Sequence, residues 1–439
     1  MDTQQKQDFI PLSDIAEINP SRKALLHIRD NDEVSFIPMA DTTESGRWIN
    51  QQTRFYHEVK HGYTFFEEGD VLFAKITPCM ENGKGCLATA LKNQVGFAST
   101  EFHVIRANKE GDSRFIFQWS IFQNLRQKAV TSMTGSAGQQ RVTASFLRQY
   151  KIPRIFKNEQ TQIAAVLSTI DLAISQTEAI IAKQQRIKTA LMQDLLTKGI
   201  DENGNIRSEA THEFKDSSIG RIPAEWDVAP VSKYGSKHKS YLCTGPFGST
   251  LNTKHWVQDG VPVLTIGSLG EGELIENELL YVTELTAKNL KSFLVEPNDI
   301  VFSRVADIGR SLVIEPEQEG SIISSNLMRL SINKKKASPV YLHRNIAFNT
   351  SIVSQLRVTS NSGGRDLVNG EILSKILFPW PSFEEQNRIN SVIDGIDKTI
   401  SILKQELVNQ NQIKTGLMQD LLTGKVRVTP LLEQEPASR

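Results

Sequence analysis

Apolar residues fall at Ile163, Leu167, Ile170, Ile174, Ile181, Leu191 and Leu195, largely in alternating steps of four and three. That spacing is a heptad seam and predicts one long amphipathic helix. The seam returns at Ile389, Ile393, Ile396, Ile400, Leu403, Leu407, Leu417 and Leu421. Glycine and proline are absent between Pro153 and Gly199, and Gly199 and Gly424 are placed to stop the two helices. About 40 residues at 1.5 Å each give a helix roughly 60 Å long. Both seams have a polar gap, at Gln184 and Lys188 and at Gln410 and Lys414. The gap is read either as solvated exposure where helices diverge, or as a register-setting layer or partner-docking site.

Ahead of each helix the pattern changes. "VSFIPMA" (34–40), "DVLFAKI" (70–76) and "FHVIRA" (102–107) are short β-rich runs, and 113–130 has helical periodicity. "VPVLTIG" (261–267), "DIVFSRV" (299–305) and a helical stretch at 339–358 follow in the same order. Residues 198–226 are polar and read as a loop-like linker.

The order repeats because the chain is duplicated. "KTALMQDLLT" (188–197) and "KTGLMQDLLT" (414–423) differ at one position, and the offset of 226 holds without a gap from Pro153/Pro379 to Leu196/Leu422. Upstream the likeness is weaker but ordered: "EGDVLFAK" (68–75) with "PNDIVFSR" (297–304), then "GSAGQQR" (135–141) with "NSGGRD" (361–366). The expected divisions are a domain at 1–152, a long helix at 153–199, a linker at 200–225, a second domain at 226–378, a second helix at 379–424 and a tail at 425–439.

Composition is that of a soluble globular protein, 39% hydrophobic and 23% charged over 439 residues. No uninterrupted apolar run approaches the roughly 18 residues of a membrane span, and the polar N-terminus does not read as a signal peptide. Three cysteines without a CxxC indicate neither a disulfide framework nor a zinc site. These features place the chain in the cytoplasm. Net charge is zero, which argues against unaided grip on nucleic acid. The charge is uneven, however: 101–155 holds nine Lys/Arg against three Asp/Glu, and 321–380 holds eight against two.

No catalytic motif is present: no Walker A loop, GxGxxG, HExxH or GxSxG, and no Pro-Pro pair as in the base-holding motif of amino-methyltransferases. His61 and His103 read as surface or core residues, Glu67 and Glu68 as a solvated turn, and Cys79 and Cys86 as idle thiols. No catalytic residue and no metal ligand is expected.

Two variable α/β regions, each followed by a near-identical long helix, resemble the specificity (S) subunit of Type I restriction–modification systems. The likeness is carried by "EQTQIAAVLSTIDLAI" (159–174) with "EQNRINSVIDGIDKTI" (385–400), by the two "LMQDLLT" endings and by "IGRIPAEW" (219–226). It implies an α+β fold: two pseudo-two-fold-related target recognition domains separated by two long antiparallel coiled-coil helices. It implies a non-catalytic, DNA-reading subunit for phage defence. Each domain would read one part of a split double-stranded target, and the helices would dock two methyltransferase (M) subunits. S-adenosylmethionine, ATP and Mg2+ belong on the partners, which include restriction (R) subunits. Two alternatives are a DNA-reading subunit of a modification-only or phage-exclusion complex, and a protein-only coiled-coil adaptor.

Candidate DNA contacts are Lys75, Arg126, Lys128, Gln139, Gln140 and Arg141 in the first half, and Arg304, Lys334, Lys335, Lys336 and Arg365 in the second. Glutamine pairs with adenine, and arginine with guanine or phosphate. The alternative for "GSAGQQR" is an ordinary glycine turn. Candidate docking residues are Gln184, Lys188 and Gln193 on the first helix and Gln410, Lys414 and Gln419 on the second.

Overall fold

The computed structural model describes residues 8–22, 28–136, 138–247, 250–270, 272–304, 310–360 and 369–428. The chain forms two compact units, Met1–Ala179 with Lys404–Arg439, and Ile180–Leu403. The division cuts both long helices, Lys157–Thr197 and Phe383–Leu422. Each unit therefore holds the start of one helix and the end of the other.

In the first unit, Ala16–Ile18, Phe102–Ala107, Val71–Ala74 and Gly85–Leu87 form one four-stranded sheet in that order. Gln52–Phe55, Glu33–Ile37, Val95–Ala98 and Thr64–Glu67 form the other, with Glu33–Ile37 and Val95–Ala98 parallel. The helical stretch at 113–130 is two helices, Ser113–Ile121 and Gln123–Val130, because Phe122 is extended. Asp112 caps the first, its carboxylate accepting the N–H groups of Arg114 and Phe115. Phe9–Pro11 pairs antiparallel with Lys151–Pro153, which brings the chain to its first long helix.

The heptad seam explains the core beneath. Ile163, Ala164 and Leu167 share one cluster with Met418, Leu421 and Leu422 and with Phe73, Phe115, Ile116 and Trp119. The end of the second helix thus runs antiparallel against the start of the first. Leu167 and Leu422 are fully buried, and each such leucine stabilises by about 1.5–3 kcal/mol. Val428, in the tail, is buried in the same cluster as Ile10 and Leu12.

The second unit repeats the plan. Leu242–Thr244, Leu327–Leu330, Ile300–Ser303 and Ser311–Val313 make one sheet; Trp256–Val257, Leu280–Val282, Val261–Leu264 and Ile322–Ile323 make the other. Its parallel pair is again present, but its fourth strand lies beyond Leu280–Val282, on the opposite edge from Thr64–Glu67 in the first unit. The two domains share a frame and differ at an edge.

The linker corrects the sequence reading. Residues 198–226 are not a loose loop. Phe214–Ser217 and Gly220–Pro223 form a hairpin. Ile200, Ile219, Ile222 and Trp226 are buried with Leu195, Leu196, Ile389 and Ile393. Four apolar side chains spread along a polar segment suffice to fold it onto the helix ends.

The first long helix also contains an 18-residue window of mean hydropathy 1.3, long and apolar enough by composition to cross a membrane. Ile163, Leu167 and Ile174, on the heptad, are buried inside the unit, whereas Leu172, Ile180 and Ile187 lie off it and are exposed.

Candidate DNA and partner interfaces

The repeated Glu-Gln at each helix start has a physical reason. Gln160 donates to the Ile155 carbonyl at 2.8 Å and accepts the Asp112 N–H at 2.9 Å. Gln386 donates to the Pro381 carbonyl at 3.0 Å and accepts the Ser338 N–H at 2.8 Å. Each glutamine ties its long helix to the cap of the domain helix, and every partner recurs 226 residues on. Glu159, 1% exposed, accepts two bonds from the Arg427 guanidinium and one from the Val428 N–H. Those bonds hold its carboxyl below the usual range. Glu385, 3% exposed, accepts from the Ile200 N–H, the Arg207 guanidinium and the Trp226 indole. Gly199 ends the first helix at φ 70°, and a Cβ there would stand 2.2 Å from Glu385 Oε1. Only glycine fits both demands.

The polar gap of the seam is also occupied. Lys414 pairs with Asp171 at 2.6 Å in the first unit, and Lys188 pairs with Asp397 at 2.5 Å in the second. These are one contact seen twice, since 188 and 414, like 171 and 397, are 226 apart. Lys188 and Lys414 thus take part in helix pairing, with 30% and 15% of their side chains exposed. Gln193 bonds Thr350 at 3.0 Å within its own unit, and Gln410 bonds Glu406 at 3.2 Å on its own helix. Gln419 is exposed and Gln184 half-buried. Ile187 and Ile413, again 226 apart, are both exposed on the helices, at 41% and 55%.

Gln118 and Arg344 are a further 226-spaced pair that motif reading missed. Gln118 donates to Asp171 at 2.7 Å; Arg344 donates to Asn390 at 2.7 Å and Asp394 at 2.5 Å. Each fastens a domain helix to a long helix. Glutamine at one position and arginine at the other leave no repeated letter for a sequence match to find.

In the first unit the loop 134–141 is stitched to the end of Val71–Ala74. Thr134 pairs with Arg141, the Thr77 N–H donates to the Gln140 carbonyl, and the Val142 N–H donates to the Lys75 carbonyl. Lys75, Gln139, Gln140 and Arg141 are thereby brought together. Both glutamines are exposed, and Lys75 and Arg141 are partly so. Glu101 takes the Arg141 guanidinium in two bonds, at 2.8 and 2.9 Å, which lowers its own pKa and raises that of Arg141. His103, beside them, is buried, with Nε2 at 2.8 Å from the Val142 carbonyl; burial lowers its pKa.

Arg304 occupies the place of Lys75. Val71 faces Ile105 across the sheet as Ile300 faces Leu330. The Lys75 N–H donates to the Glu101 carbonyl, and the Arg304 N–H donates to the Asn326 carbonyl. Lys334, Lys335 and Lys336 are exposed, but their turn follows Leu330 and so lies at the other end of that strand from Arg304. The structure does not bring the two groups together. Arg365 lies outside the described residues. Lys128 is exposed, with its ammonium 5.7 Å from the Tyr150 ring centre.

Arg126 is a correction. It is 1% exposed and donates to the carbonyls of Ser120, Met80 and Lys84. Its guanidinium lies 4.1 Å from the Phe73 ring centre, and burial pushes its pKa down to about 9. It is a core residue that cannot touch DNA. Its phase gives the reason: Phe122, Leu125, Arg126 and Ala129 are all buried, at the four-and-three spacing of a helix's inner face.

Comparison with known proteins agrees with this architecture. A family model described as the Type I restriction modification DNA specificity domain matches residues 5–186 and again 246–412. The specificity subunit of the Type I restriction enzyme EcoEI from Escherichia coli is 37% identical over 191 residues. That alignment covers 42% of this chain and 32% of the relative, so it spans about a third of that subunit's length. The putative MjaX specificity subunit of Methanocaldococcus jannaschii is 27% identical over 364 residues, 82% of this chain and 79% of the relative. Two solved structures share the fold. One, described under complex assembly and conformational transition of the type I R-M system, has TM-score 0.60 at 15% identity, covering 97% of this chain and 100% of its own. The HsdS subunit of Thermoanaerobacter tengcongensis has TM-score 0.50 at 17% identity, covering 96% and 98%.

Proposed function

Because the chain belongs to the Type I restriction–modification DNA specificity family, we propose that it reads a split double-stranded DNA target, one part through each variable domain. Its paired helices dock two methyltransferase subunits. The carrying observation is the internal repetition: the Gln160/Gln386 ties and the Lys414–Asp171 and Lys188–Asp397 pairs recur at one offset, while the domain edges differ. Repeated helix surfaces suit two copies of one partner. Differing domain surfaces suit two different half-sites. Exposed Ile187 and Ile413 give that partner the same apolar foothold twice.

The subunit itself is non-catalytic and works in the cytoplasm. Methylation with S-adenosylmethionine, and ATP- and Mg2+-dependent restriction, belong to the M and R partners. Near the first domain's candidate surface, Gln139 and Gln140 offer amide pairs to base edges, and Lys75 with Arg141 offers positive charge. A neutral chain grips phosphate weakly, so the partners supply much of the affinity. Gel-shift titration tests this: the chain with two M subunits binds the split site tightly and the chain alone weakly. Tight, specific binding by the isolated chain contradicts the division of labour.

A further inference from the structure

Most arginines among the described residues are matched by carboxylates or backbone carbonyls. Arg106 meets Asp70 and Glu67, Arg141 meets Glu101, Arg329 meets the Leu294 carbonyl and Arg344 meets Asp394. Arg304 differs. It is 7% exposed, its Nε has no hydrogen-bond partner, and no carboxylate pairs with it among the described residues. Its guanidinium sits 5.0 Å from the ring centre of Phe247. Burial without an anion lowers its pKa, which is the physical sign of an unmet charge. In the equivalent place of the first unit the neighbour is Glu101; here it is Asn326, which is neutral.

Phe247 is held out to solvent by a pinned backbone. The Gly245 N–H donates to the Leu327 carbonyl, and a Cβ on Gly245 would lie 1.9 Å from the Ser324 carbonyl oxygen. Pro246 follows, and Phe247 is 61% exposed. An exposed aromatic on fixed backbone covers a cation whose charge is unmatched. Desolvation by the ring strengthens that cation toward an anion arriving from outside.

We propose that Arg304, screened by Phe247, binds one backbone phosphate of the DNA half-site read by the second domain. This rests on the DNA-reading function proposed above. Phosphate is favoured over a base edge on geometry. A base-reading arginine must extend into a groove, whereas a side chain nine-tenths buried meets only what comes to the surface. The outermost anions of a duplex are its phosphates.

The test uses the chain with its methyltransferase subunits and duplex DNA carrying the split motif obtained by methylation sequencing. R304Q is expected to weaken binding several-fold without altering the motif. It should reduce the slope of log affinity against log salt by about 0.9, the value of one lost phosphate contact. R304K should retain the slope, and F247A should weaken binding with the motif unchanged. Methylphosphonate scanning of the second half-site should find one phosphate whose neutralisation weakens the wild type and leaves R304Q unaffected. An unchanged slope in R304Q, or relaxed recognition at a single base pair, would overturn the assignment. Should R304Q fold poorly, R304K keeps the charge and F247A keeps the arginine, and a change of motif in either counts against it. Failure of the wild-type complex to bind split-motif DNA would instead refute the functional reading itself.

Discussion

Glu159, at the start of the first long helix, holds Arg427, which lies 268 residues away in sequence. The carboxylate is buried, and the Arg427 side chain is about half exposed. The contact closes the first unit around a segment from the far end of the chain. Replacing Arg427 by alanine leaves a buried carboxylate with the Val428 N–H as its remaining partner. The expected cost is about 1–3 kcal/mol, read by urea unfolding, with no change in the recognised DNA sequence.

The same contact has a pH signature. Glu159 has a folded-state pKa below its ordinary value of 4.5. A depressed carboxylate pKa contributes stability that is fully present above that ordinary value and is lost as pH falls through the folded pKa. Wild-type stability should therefore decline on the acid side of about pH 4.5, and R427A should decline less steeply there. Equal acid-side slopes would contradict the role given to Glu159.

Each long helix pairs one lysine with an aspartate of the other, Lys414 with Asp171 and Lys188 with Asp397. In the first unit, D171K places two lysines face to face and also removes the acceptor of Gln118, so it should destabilise by more than about 1 kcal/mol; adding K414D should recover only the charge part. The pair is partly buried, Lys414 being 15% exposed, so the coupling should exceed that of a free surface pair. A double-mutant cycle with no coupling would show that the seam is indifferent to these charges.

Arg126 separates folding from recognition. R126M removes three bonds to backbone carbonyls and should cost about 3 kcal/mol or more. Whatever folded protein remains should keep the wild-type methylation motif.

What the sequence disclosed and what it hid follow from chemistry. The long helices and the duplication were legible because Ile163, Leu167, Ile389 and Ile393 repeat an apolar period that solvent exclusion enforces. The Glu-Gln pairs stood out as repeated letters, but their reason lay in partners distant in sequence: Arg427 and Val428 for Glu159, Arg207 and Trp226 for Glu385. Positive charge misled at Arg126, because a local count of Lys and Arg does not tell a solvated cation from one held by backbone carbonyls. Phe247 carried no signal at all; its exposure depends on how Gly245 is pinned to another strand.

The most direct measurement is methylation sequencing of DNA from a host expressing this chain with its methyltransferase subunit, beside a chimera in which residues 10–150 come from another specificity subunit. The wild type is expected to give one bipartite motif with a fixed gap. The chimera is expected to change one half of it and leave the other half and the gap intact. A continuous motif, or a change in both halves, would contradict two independent readers on one helical frame.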